Sequence, residues 1–93
     1  MEQVDSKTLG MYLLFSMLSV SSSISEIKDI CNSLLEKTQE IEDNIQYEIV
    51  LNMCGMDISI NAIGRDIKEG INMTINKANT ILKEIEIEKE LLG

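Results

Sequence analysis

The sequence contains no proline, no histidine and no tryptophan. Without proline, nothing obliges a helix to kink or stop. Without histidine, the commonest general acid–base group and metal ligand is missing. Aromatic residues are limited to Tyr12, Phe15 and Tyr47, so the core must be aliphatic. Cations are scarce: Lys and Arg total 8 against 16 Asp and Glu, a net charge of −8. That balance counts against nucleic acid, which is held mainly by Lys and Arg on phosphates. It counts equally against an anionic membrane surface. A basic protein partner would suit the charge, although solubility alone accounts for it too.

Cysteines are few. On one continuous helix Cys31 and Cys54 would stand roughly 34 Å apart, whereas a disulfide needs Cα atoms within about 7 Å. Both are therefore read as reduced core thiols of a cytosolic protein. Two cysteines without histidine make a poor zinc site. Long apolar runs are also lacking. Leu9 to Val20 is too short for a bilayer, which takes about 20 apolar residues. Its flank carries Glu2 and Asp5 against Lys7, the wrong sign for a signal peptide, and Ser21-Ser22-Ser23 is not a cleavage site. Asn72-Met73-Thr74 matches a glycosylation sequon, which has no role in a cytosolic chain.

What the chain does have is isoleucine, leucine and methionine at helical spacing. A first stripe runs Leu13, Met17, Val20, Ile24, Ile27, Cys31, Leu34, Thr38, Ile41, Ile45. A second runs Ile60, Ile63, Ile67, Ile71, Ile75, Ala78, Leu82, Ile85. Both are amphipathic-helix patterns. Between them, Gly55 is the best helix stop and Asp57 a plausible N-cap. These signals predict an all-α fold, an antiparallel hairpin of two long helices. The first arm spans about residues 8–52, the bend about 53–57 and the second arm about 58–91, in a single domain. Ser23-Ile24-Ser25-Glu26 also reads as a capping box, which would instead start a helix near residue 24 and give a three-helix bundle with a short first helix. The stripe keeps its phase across the serines, which favours the continuous arm. Gly64 and Gly70 mark either a close helix approach or two tolerated weak points. Asp57 to Asn61 and Ile85 to Glu88 alternate with period two, but both lie inside longer helical periodicity and are read as helix.

Nothing in the sequence assembles a catalytic or cofactor site. Neither cysteine has an activating base. Carboxylates such as Glu36, Glu40, Asp43, Glu84 and Glu88 are spaced as solvated helix faces. The expectation is a non-enzymatic module with no cofactor and no metal. Residues 9–20 carry more apolar side chain than one neighbouring helix can cover, and a helix that is apolar all round must be buried all round. A partner chain, a second copy or a folded-back helix must supply the cover. The candidate partner-binding residues are Leu13, Leu14, Phe15, Met17, Leu18, Val20, Ile24 and Ile27.

A hairpin of this length with a serine-rich first arm (Ser19 to Ile27) resembles the small helical proteins of Gram-positive type VII secretion. These include Trp-x-Gly hairpins and the partners of Leu-x-Gly toxins. The Trp-x-Gly position would fall on Met53-Cys54-Gly55, which keeps the glycine and lacks the tryptophan. No tyrosine follows Tyr47, so a Tyr-x-x-x-Asp/Glu export signal is missing as well. The resemblance implies an adaptor that pairs with the helical N-terminal domain of a secreted toxin, cytoplasmic or co-secreted with it. Two other classes fit the composition: an acidic inhibitor, such as an antitoxin, immunity or phage anti-defence protein, and a homo-oligomeric helical bundle.

Overall fold

A computed structural model describes residues 3–92. The order of elements is α1 (Ser6–Val20), α2 (Ile24–Thr38), β1 (Gln46–Met53), β2 (Met56–Ile63) and α3 (Gly64–Leu92). The fold is thus mixed helix and strand, three helices with a two-stranded antiparallel sheet, and the expected all-α hairpin is incorrect. The first arm ends twice, at Val20 and at Thr38, and the expected bend lies inside a β-hairpin.

The first break follows from serine chemistry. Ser21 ends α1, donating its backbone N–H to the Met17 carbonyl. Ser23 then caps α2, its hydroxyl accepting the Glu26 N–H at 3.2 Å. The reciprocal half of the box is displaced by one residue: Glu26 accepts from the Ser22 N–H at 2.8 Å and from the Ser22 hydroxyl at 3.0 Å. These local bonds outweigh the stripe that runs in phase through the serines. At the start of α1, Asp5 caps by accepting the Thr8 N–H at 2.8 Å.

Beyond Thr38 the periodicity changes. Tyr47, Ile49, Leu51 and Met53 alternate with Glu48, Val50 and Asn52 along β1, and the former set faces inward. On β2, Ile58, Ile60 and Ala62 do the same. The pairs Tyr47–Ala62, Ile49–Ile60 and Leu51–Ile58 stand opposite each other across the ladder. A two-residue loop, Cys54-Gly55, joins the strands, with φ of 54° and 84°. Two successive positive φ values are what a type I′ hairpin turn requires. Glycine at 55 is therefore a turn residue and not a helix stop. Asn52 supports the turn by accepting the Gly55 N–H through its side-chain oxygen at 3.3 Å.

The core lies between the hairpin and the helices. Leu9 and Leu13 of α1 meet Leu51, Ile60 and Ala62 of the hairpin and Ile67 and Ile71 of α3. A second cluster, Met17, Cys31 and Ala78, binds α2 to α1 and α3. The outer edge of β2 receives the chain start, where the Val4 N–H donates to the Asn61 carbonyl at 2.9 Å. The α2–β1 connection is tied to the head of α3. The Gly64 N–H donates to Ile45, the Arg65 N–H to Asp43, and the Lys68 ammonium pairs with the Asp43 carboxylate at 2.8 Å. With its 29 residues, α3 is roughly 43 Å long and accounts for most of the 48 Å long axis of the molecule.

Candidate partner-binding face

The helix α1 is apolar on two sides. Its inner side, Leu9, Leu13 and Met17, is buried in the protein's own core. Its outer side keeps Met11, Phe15 and Leu18 in solvent, at 52%, 53% and 42% exposure, while Val20, on the inner side, is exposed at the helix end. Leu14 sits between the two sides and is half-buried. The eight sequence candidates accordingly divide. Leu13 and Met17 are core residues. Ile24 and Ile27 are half-buried on α2, with Ile27 packed on the Met17–Cys31–Ala78 cluster. Leu14, Phe15, Leu18 and Val20 remain available at the surface.

Leu14 and Phe15 belong to a groove between α1 and α3 of about 310 Å³, lined also by Lys7, Gly10, Met11, Met73 and Lys77. A shallower hollow continues it along α3 over Leu14, Lys77, Thr80, Ile81 and Glu84. Methionines at 11 and 73 give the groove adaptable walls. Lysines at 7 and 77 border it with positive charge on a chain of net charge −8. The sequence candidates leave out Met11, Met73 and both lysines, although Met11 counts toward the apolar surplus of residues 9–20. Met11 was visible as the i−3 and i−4 neighbour of Leu14 and Phe15. Met73 and Lys77 come from a helix sixty residues away and only tertiary structure brings them there.

A second hollow, about 340 Å³, opens between β1 and α2 and is lined by Leu34, Ile41, Tyr47, Ile49, Leu51 and Ile71 among others. It lies beside the outer edge of β1. On that edge the Ser16 hydroxyl donates to the Asn52 carbonyl at 2.7 Å.

The groups whose titration the fold shifts line neither hollow. Hydrogen bonds from Thr8 hold Asp5 below the ordinary carboxylate range, and those from Ser22 do the same for Glu26. Both are cap residues. Burial raises the Cys31 thiol, which makes it a poor nucleophile. Cys31 is buried as expected, but Cys54 is exposed at the hairpin turn and is not a core thiol; both are free. Among the described residues, no group of three or more Cys, Asp or Glu is placed to hold a metal ion. No helix among them is long and apolar enough to cross a membrane.

No family model, curated protein or solved structure matches this chain.

Proposed function

We propose that this chain is a non-enzymatic protein-binding module that receives an amphipathic helix on the outer face of α1. The observation that carries the reading is the row Met11, Phe15 and Leu18, exposed along one face of α1 and continuous with the Leu14–Met73 groove. Covering such side chains contributes about 1.5–3 kcal/mol each when burial is complete. An exposed apolar patch bordered by polar residues is the usual mark of an interaction surface. A groove between two helices suits a third helix with apolar residues at i, i+3, i+4 and i+7. Two unpaired thiols fit a reducing, cytoplasmic setting.

The type VII adaptor reading rested on two long helical arms, and residues 46–63 form strands instead. Without those arms the chain retains the features of a protein-binding module but not of a two-armed helical hairpin. An inhibitor that covers a basic surface would present acid at the contact, whereas lysines border this groove.

The test compares the wild-type chain with Phe15→Asp in cross-linking capture from its native cells. A protein recovered by the wild type and lost with Phe15→Asp supports the face, provided circular dichroism shows unchanged helicity. Equal recovery of every captured protein by both chains would reject it.

A further inference from the structure

The last residue of α3 that the core buries is Leu82. Lys83 to Leu92 continue the helix for about 15 Å beyond it. This overhang is tied to α2 by a loose ion pair, Lys28–Glu86 at 3.9 Å, and keeps Ile85 half-buried. It leaves Ile87 and Leu91 at 50% and 81% exposure. It is also acidic, with Glu84, Glu86, Glu88 and Glu90 against Lys83 and Lys89. The same molecule therefore carries an apolar groove edged by lysine and an unpartnered apolar helix edged by glutamate.

We propose that the occupant of the groove is the α3 overhang of a second copy of this chain, in a reciprocal two-fold dimer. The inference rests on the outer face of α1 being a helix-binding surface and names its partner. One face of α3 carries Met73, Lys77, Thr80, Glu84, Ile87 and Leu91, at steps of 4-3-4-3-4. That spacing is a heptad seam. Laid antiparallel on its own copy about residue 82, the seam complements itself. Met73 meets Leu91 of the second copy, Lys77 meets Ile87 between its flanking Glu84 and Glu88, and Thr80 meets Glu84. Residues 73, 77, 80 and 84 line the groove and its continuation, so the incoming helix lies along both hollows. Its apolar side then covers Met11, Leu14 and Phe15.

Other pairings are worse. A parallel arrangement sets Lys77 on Lys77 and Glu84 on Glu84. A heptad shift in one direction sets Ile87 against Gly70, which α1 already covers. The opposite shift sets Glu84 on Ile87. Of these antiparallel registers, only the one centred on residue 82 pairs two large apolar side chains, Met73 and Leu91, and sets Lys77 beside Glu84 and Glu88, and as an isologous contact it closes at two copies.

The test is light scattering and sedimentation equilibrium on the full-length chain at micromolar concentrations. Wild type is expected at twice the chain mass. Lys77→Glu should weaken the dimer at least tenfold by facing Glu84 and Glu88 with acid. Lys77→Glu combined with Glu84→Lys should restore affinity to within about threefold of wild type, which a merely structural role for Lys77 would not produce. Leu91→Asp, at a position with no packing to lose, should give a folded monomer by circular dichroism. A wild type that stays monomeric at 100 micromolar, a Leu91→Asp chain that remains a dimer, or a double variant no better than Lys77→Glu would overturn the proposal. A monomeric wild type that still captures a protein through Phe15 would leave the binding face standing and remove only the self-pairing.

Discussion

The Thr74 hydroxyl lies 2.9 Å from the Gly10 carbonyl, a contact between residues 64 apart in sequence. The same hydroxyl lies 2.9 Å from the Gly70 carbonyl of its own helix. It sits where α1 and α3 approach most closely. A Cβ at Gly70 would come within 3.0 Å of the Ser6 carbonyl and 3.3 Å of the Gly10 nitrogen. Gly70→Ala gains about 1 kcal/mol of helix propensity and loses about 1–3 kcal/mol to the steric displacement of α1. The expected net is a destabilised protein. Thr74→Val keeps the shape and removes the hydroxyl, at an expected loss of about 1 kcal/mol. Urea denaturation of both variants checks this. A Gly70→Ala chain more stable than wild type would show that the two helices do not cross here.

The hairpin turn offers a change of opposite sign. Cys54 holds a φ of 54°. That region costs an ordinary L-residue about 1–2 kcal/mol, while asparagine tolerates it. Cys54 is exposed, and no packing opposes the replacement. Cys54→Asn, which creates the favoured Asn-Gly pair of a type I′ turn, should stabilise the protein by about 0.5–1 kcal/mol. Thermal melting under reducing conditions measures it. An unchanged or lower midpoint would contradict the turn geometry.

These two sites also show how far local sequence carries the fold. Gly55 was recognisable as a reversal because few residues adopt positive φ, and Ser23 with Glu26 as a helix start because the capping bonds are local. The inner face of α3, through Ile67, Ile71, Ala78 and Leu82, followed from its 3.6-residue spacing. The strands did not follow. Ile41 and Ile45 continue the α2 stripe in phase, yet the chain has left the helix at Thr38. The alternation of Tyr47, Ile49 and Leu51 is short, and its stabilisation comes from Ala62, Ile60 and Ile58 on the other strand. Such cross-strand pairs do not register within a helical window. On the candidate face, Phe15 and Leu18 were legible as surplus apolar surface on α1. Met73 and Lys77 were not, because the Gly10–Gly70 approach that brings α3 alongside is itself a tertiary fact.

Acid should loosen both amino-terminal helices at their starts. Glu26 is held below its ordinary value chiefly by the Ser22 N–H and hydroxyl, and Asp5 chiefly by the Thr8 N–H. A carboxylate with a lowered folded-state pKa contributes stability that is complete above its unfolded value. The contribution is lost as the pH falls through the lowered folded value. The window therefore opens below roughly pH 4 and closes as the caps protonate. Glu26→Gln and Asp5→Asn should each flatten part of the stability loss seen on acidification in that range. Denaturant midpoints across the window, for wild type and both variants, measure the effect. Identical acid slopes in all three chains would remove the caps from the account.

The hydrogen-bond pattern of the sheet makes a final distinction between neighbouring residues of β1. The Asn61 carbonyl bonds to Val4, so it faces away from β1. Antiparallel pairs alternate between bonded and non-bonded. Glu48–Asn61 and Val50–Ser59 are then non-bonded pairs, and Ile49–Ile60 is a bonded one. The Val50 N–H points to the open edge and the Ile49 N–H into the ladder. Proline is tolerated on an edge strand where its missing donor faces outward. Val50→Pro should therefore fold with at most a small loss, the side chain being 60% exposed. Ile49→Pro removes a ladder bond beside the core and should cost about 3 kcal/mol or more, from the orphaned Ile60 carbonyl and the disturbed packing together. Equal destabilisation by the two substitutions in parallel denaturation curves would mean that β1 is not paired in this register.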